Sequence, residues 1–89
     1  MIRQKCTINN RLGLHARAAA KLVTLASKFT CTLELEHKQK TVNGKSIMGV
    51  MMLAASKGTI ITIIANGVDE KIAIKEVLDL INDKFEELV

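Results

Sequence analysis

The run Thr59-Ile60-Ile61-Thr62-Ile63-Ile64-Ala65 constrains this chain more than any other stretch. Four isoleucines on both parities of a strand leave neither face suited to water, so the segment reads as a central strand rather than an edge. A central strand needs a partner on each side, and 89 residues must supply them. That length allows one small domain with no room for a second core. With two Phe and no Trp or Tyr, the core has to be aliphatic. The absence of proline and the sparse glycine argue against long disordered linkers.

Partner strands are legible from their alternation. Over residues 2–8, Ile2, Cys6 and Ile8 face one way, and Arg3, Lys5 and Thr7 the other, as in a half-buried strand. Cys31, Leu33, Leu35 and His37 alternate with Thr32, Glu34 and Glu36 as a second strand. His37-Lys38-Gln39-Lys40 then reads as a polar turn and Thr41-Val42 as a short third strand.

Three segments carry helical spacing instead. From about 16 to 27, Ala19, Leu22, Val23 and Ala26 form a buried face opposite Arg17, Lys21 and Thr24. Ser46, a residue type that takes an orphan N–H of the first turn, opens a short apolar helix from Ile47 to about Ala54. A last helix, capped by Asp69 and running to about 86, shows Ile74, Val77, Leu78, Ile81 and Phe85 on one face. The order β-α-β-β-α-β-α predicts an α+β domain with helices on one face of an antiparallel sheet.

Several function classes fall away on composition. The net charge of +4 is a mild bias toward acidic partners, well short of the basic stripe of a nucleic-acid binder. Small α+β RNA-binding modules stack bases on strand aromatics, and no strand here contains one. No apolar run approaches the ~20 residues of a membrane-spanning helix. The alternating N-terminus lacks a signal peptide's apolar block, so a cytoplasmic location is expected. Cys6 and Cys31 are expected to be free thiols. Gly44-Lys45-Ser46 looks like the end of a P-loop, but Gln39 stands where that loop needs glycine. His15, His37, Cys6 and Cys31 lack paired metal-ligand spacing, so no metal and no cofactor are expected.

Chemistry concentrates instead at Gly13-Leu14-His15-Ala16-Arg17. Glycine lets the backbone turn, and His15 follows at the opening of a helix. The first N–H groups of a helix lack intrahelical partners and the macrodipole adds roughly half a positive charge, which together make an anion site. Arg17 adds a planar, permanently charged fork suited to phosphate oxygens. A cation is electrostatically misplaced in a first turn, so its presence there points to a function. The same field disfavours a charged imidazole, and the neutral, nucleophilic ring is expected near pH 7. These groups suit a phosphoryl group held on histidine. The helix after Ser46 is apolar nearly all round. It cannot bury every side, so some of its residues must be exposed; Val50 and Leu53 are assigned to the core, while Ile47, Met48 and Met51 read either as extra core or as an exposed patch whose methionines suit several partners.

Gly-Leu-His-Ala-Arg at 13–17, Val-Asn-Gly-Lys-Ser-Ile-Met-Gly-Val-Met at 42–51 and Ala-Asn-Gly-Val-Asp at 65–69 closely resemble the HPr family. These are the histidine phosphocarriers of the bacterial phosphoenolpyruvate-dependent sugar phosphotransferase system. The resemblance spans the whole chain and implies an open-faced β-sandwich with strand order 1-4-2-3. It implies that His15 takes a phosphoryl group from Enzyme I on Nδ1 and passes it to IIA proteins or domains, with Arg17 helping to hold it. Around His15 it implies a partner surface of Leu14, Ala16, Lys21, Ile47, Met48 and Met51. Ser46 aligns with a regulatory site phosphorylated by HPr kinase in bacteria that have one; phosphate there would set about −2 charge beside the docking surface. Carriers of this size are expected to work as monomers.

One position departs from the family. Proline usually follows the arginine, whereas this chain has Ala18, which keeps an N–H that a proline lacks. The same variant resembles some proteobacterial members and the related nitrogen-branch carrier, leaving the branch open. With order 1-4-2-3, a strand also separates Cys6 from Cys31. Strands two places apart lie ~9–10 Å from each other, beyond disulfide reach.

Overall fold

The computed structural model describes residues 1–86. Its elements follow the order β1 (Ile2–Thr7), α1 (Ala16–Ala26), β2 (Thr32–His37), β3 (Lys40–Asn43), α2 (Ile47–Met52), β4 (Ile60–Asn66) and α3 (Glu70–Asn82). The four strands form one sheet in the order β1-β4-β2-β3, with each neighbouring pair antiparallel. The isoleucine-rich strand is therefore central, as its two-faced apolarity requires. Ile61, Ile63 and Ala65 face the helices. On the opposite, open face Ile64 lies in register between Arg3 and Glu34 and is nevertheless nearly covered. The Arg3 guanidinium reaches across β4 to Glu36 at 2.7 Å, roofing that part of the sheet.

The core lies between the sheet and the helices. Leu22 and Ala19 from α1, Val50 from α2, and Val77 and Ile81 from α3 bury against Leu33, Leu35, Ile61 and Ile63. Burying an aliphatic side chain of this size contributes about 1.5–3 kcal/mol, which lets a core with one buried Phe hold a small domain.

Element ends show where local signals give way to tertiary ones. Strand β3 is longer than Thr41-Val42, because a two-residue turn, with Lys38 at φ 56°, lets Lys40 pair with His37. Helix α2 stops at Met52 rather than Ala54: Ala54 adopts φ 53°, a left-handed helix stop. Helix α3 ends at Asn82, not at about 86. Lys84–Glu86 turn back with φ 56°, 55° and 57°, and that turn carries Phe85 into the core the helical spacing predicted for it.

Asp69 is a further correction. It occupies the N-cap position of α3 but makes no side-chain cap bond. Its carboxylate instead accepts the backbone N–H groups of Thr30 and Cys31 at 2.8 and 2.9 Å. Glu70, the first residue of α3, accepts the Gly67 N–H at 3.0 Å and so ties down the turn before the helix without capping it. Cys6 and Cys31 are free cysteines on either side of β4.

Candidate functional site

The loop from β1 to α1 is built to fix one residue. The β1–β4 pairing continues past the strand end, with Ile8 donating to Thr59 and Gly58 donating back to Ile8. Asn10 is fully buried, and its Nδ2 donates to the Gly13 carbonyl at 2.8 Å while the Gly13 N–H turns back to the Asn10 carbonyl. The sequence signal for this lock is an Asx side chain three residues before a glycine. Gly13 has φ +65°, and a Cβ there would sit 2.5 Å from the Ala55 carbonyl oxygen. Only glycine fits that approach of two backbones.

The Leu14 N–H then donates to the Ala55 carbonyl at 2.8 Å. The residues just after α2 thus hold the start of α1, and the two helices pack together. This stitching turns the Leu14 side chain into the core, at 5% exposure. Leu14 therefore cannot offer its side chain to a partner, contrary to the sequence-based expectation.

His15 emerges from this clamp as the N-cap of α1, half-buried, with extended backbone. Its carbonyl accepts the Ala19 N–H, the first bond of the helix. The amides of Ala16, Arg17 and Ala18 precede that bond and have no intrahelical acceptor. The imidazole Nδ1 accepts the Arg17 N–H at 3.3 Å. A nitrogen that accepts a hydrogen bond carries its lone pair, so Nδ1 faces the opening turn unprotonated. The ring is thus neither buried in the interior nor turned away from the amides. The Arg17 side chain is exposed, and among the described residues no hydrogen bond or ion pair engages its guanidinium. Ala16 is exposed beside it, while Ala18 is buried in the α1 packing face.

The remaining expected residues fall into two groups. On α2, Val50 and Leu53 are buried, whereas Ile47, Met48 and Met51 are exposed rather than core. Met52 and Leu12 are exposed too, and neither was singled out in the sequence. Ser46 caps α2, its Oγ accepting the Gly49 N–H at 3.1 Å. It lies at the opposite end of α2 from the Ala55 clamp, with the six-residue helix, about 9 Å long, between them. Lys21 is half-buried and already paired with Glu86 at 2.9 Å, so it is less available to a partner than expected. Among the described residues no group of three His, Cys, Asp or Glu side chains could hold a metal ion. No helix among them is long and apolar enough to cross a membrane.

Residues 2–83 match the family model described as the PTS HPr component phosphorylation site. The chain belongs to the HPr family. A phosphocarrier protein HPr from Xylella fastidiosa is 48% identical over 87 residues, covering 98% of each chain. The crystal structure of HPr-C-His from Thermoanaerobacter tengcongensis superposes with a TM-score of 0.95, at 46% identity and full coverage of both chains. A second HPr structure from that organism, described as a dimer, is 49% identical, covers 92% of this chain and 94% of its own, and has a TM-score of 0.79. The open-faced sandwich expected from the sequence is therefore the fold observed. The HPr chain is a phosphocarrier of the phosphotransferase system, and the nitrogen-branch and nucleic-acid alternatives are not favoured. Its partners belong to that system.

Proposed function

We propose that His15 is the residue that carries the phosphoryl group, accepting it on Nδ1 from phospho-Enzyme I and yielding it to IIA proteins or domains. The observation that carries this reading is the Arg17 N–H resting on His15 Nδ1 at 3.3 Å. It marks a lone pair aimed into the turn where unpaired amides gather. In the transfer, the Nδ1 lone pair forms the new N–P bond while the bond to the donor breaks, its electron pair staying with the donor. The Arg17 amide, released from Nδ1, and those of Ala16 and Ala18 are then available to the phosphoryl oxygens, and the Arg17 fork adds a mobile charge. A half-buried ring suits a carrier, which must give up its cargo as readily as it takes it.

Incubation with phosphoenolpyruvate and Enzyme I tests this directly. Acid-labile, base-stable phosphate is expected on His15, and none on the His15→Ala protein. A folded wild-type protein that takes up no phosphate from a working Enzyme I overturns the assignment.

Around His15, the exposed Ala16, Leu12, Ile47, Met48, Met51 and Met52 are the partner surface in this reading. Ser46 is a regulatory site where an HPr kinase exists. Its support is geometric: a phosphate on an N-cap is locally favourable, so the modification leaves α2 in place while charging one end of the docking helix. The carrier acts as a monomer in the cytoplasm, needing no cofactor, nucleic acid or membrane insertion. Two free thiols agree with a reducing compartment, and a monomer keeps the apolar patch open. Sedimentation tests the oligomeric state, and a stable dimer at working concentration overturns it.

A further inference from the structure

All four methionines of this chain stand exposed, and three of them share one six-residue helix. Met48, Met51 and Met52 are 72%, 42% and 60% exposed, at helical spacings that crowd their thioethers onto the water-facing side of α2. Met1, 70% exposed, precedes β1, at the end of that strand remote from the site loop. Buried Val50 and Leu53 anchor α2 from beneath. The helix therefore does not need the three methionines for its hold on the core.

We propose that Met48, Met51 and Met52 are a reversible oxidation site through which peroxide weakens partner docking, on the footing that α2 is the docking surface argued above. The oxidant is hydrogen peroxide or a peroxide of the same class. The thioether sulfur gives an electron pair to one peroxide oxygen, the O–O bond breaks, and the products are a sulfoxide and water. Reduction by a thiol-dependent sulfoxide reductase returns the thioether, with the oxygen leaving as water and the thiols ending as a disulfide.

Geometry directs the oxidant to these sulfurs. Peroxide attacks a cysteine as the thiolate, in an accessible place. Cys31 is buried, and Cys6 is half-covered in β1. Burial pushes the Cys6 thiol up to about 11, and burial followed by the neighbouring Asp69 carboxylate also pushes Cys31 upward. Both remain thiols at neutral pH, so the exposed thioethers are the open targets. Their oxidation matters because methionine suits a many-partner surface by being apolar and adaptable, and a sulfoxide is neither. Three such changes turn three of the exposed apolar side chains of the docking surface polar, while the backbone clamp that holds His15 contains no methionine.

The test exposes the intact protein to hydrogen peroxide and maps sulfoxides by peptide mass spectrometry. KM at Enzyme I, phosphoryl uptake and far-UV circular dichroism are then read. Sulfoxide is expected at all four methionines, with an unchanged circular dichroism spectrum. KM is expected to rise by about tenfold, the loss of roughly one well-packed interface contact. Treatment with both sulfoxide reductases and dithiothreitol restores it. A Met48→Leu, Met51→Leu, Met52→Leu protein, compared only with its own untreated state, keeps its KM through peroxide while Met1 still oxidises and reports the exposure. Separately, Met48→Glu in reduced protein tests the docking role. An unchanged KM there removes the docking surface and the inference with it. A raised KM in Met48→Glu, alongside an unchanged KM in the sulfoxide protein, overturns the oxidation site alone. So does a failure of the three α2 methionines to oxidise while Met1 does, or a loss of the helical spectrum, which would mean general damage.

Discussion

The Asp69 carboxylate accepts the backbone N–H of Cys31 at 2.9 Å, across the gap between the turn before α3 and the start of β2. Its other oxygen accepts the Thr30 N–H at 2.8 Å. One side chain thereby supplies two acceptors to a connection whose own backbone offers none there. Opposite this bond, Gly67 lies so close to Cys31 that a Cβ would stand 2.6 Å from the Cys31 Cα. The two turns are locked face to face.

This lock predicts an acid-sensitive contribution to stability. Hydrogen bonds from Thr30 first, and Cys31 after it, hold the Asp69 carboxyl below its ordinary 3.8. A group whose folded value is depressed stabilises fully above its unfolded value and loses that stabilisation as pH falls through the folded one. The Asp69→Asn protein keeps one acceptor and turns an amide toward the second donor. It should melt at a lower temperature than wild type near pH 7, with the gap closing as pH falls below 3.8. Melting curves from neutral to acid pH check this, and a constant gap across that range would count against it.

How much of this was readable in the sequence depends on how local each cause is. The central place of β4 follows from its own residues, because isoleucine on both faces allows nothing else. The position of His15 was legible because glycine and a helix start lie within three residues of it. Asp69 misled because an aspartate before a helix looks like a cap, and the competing donors at Thr30 and Cys31 are remote in sequence. Phe85 shows the reverse: it continues the spacing of α3 and does reach the core, but through a left-handed turn. Leu14 was placed with the partner surface by its neighbours in the chain, whereas a bond to Ala55 forty-one residues later turns it inward. Met52 was passed over because a six-residue helix has too few turns for spacing alone to sort its faces.

Gly13 makes a sharper prediction, because two separate effects meet there. Gly13→Ala adds both a left-handed conformation for a residue with Cβ and a collision with Ala55 and Ser56 backbone atoms. Gly58→Ala, at φ +91° with open space around it, adds only the first. The backbone penalty alone is about 1–2 kcal/mol, so Gly58→Ala should cost that and Gly13→Ala distinctly more. Denaturant midpoints measure both. Equal losses would mean that the Gly13–Ala55 approach relaxes at little cost.

Ser46 separates capping from charge. Ser46→Ala removes the acceptor of the Gly49 N–H and should destabilise the protein by about 1 kcal/mol, with little effect on phosphoryl uptake. Ser46→Asp keeps a good cap and places a negative charge where the helix field favours it, so stability should hold. Its KM at Enzyme I should nonetheless rise if the partner surface around α2 meets acidic groups. Calorimetry and transfer kinetics on the same two proteins give the answer, and a drop in stability for Ser46→Asp would break the capping account.

Arg17 should show the opposite split, with function lost and stability kept. Its guanidinium is exposed and has no ion-pair partner among the described residues, and a cation near a helix N-terminus works against the macrodipole. Arg17→Ala should therefore change stability by no more than about 0.5 kcal/mol, in either direction. The backbone N–H that rests on His15 Nδ1 survives the substitution, so the ring keeps its orientation. What disappears is a planar fork able to meet two phosphoryl oxygens as charge redistributes, and removing a charge-assisted donor pair of that kind costs about 1.5–3 kcal/mol. Phosphoryl transfer should then slow by roughly ten- to a hundredfold. Arg17→Lys keeps the charge without the fork and should fall between the two. Rapid-quench measurement of phosphate on His15 distinguishes the cases. If Arg17→Lys matched wild type, charge alone would suffice; if Arg17→Ala did, the amides of the opening turn would hold the phosphoryl group unaided.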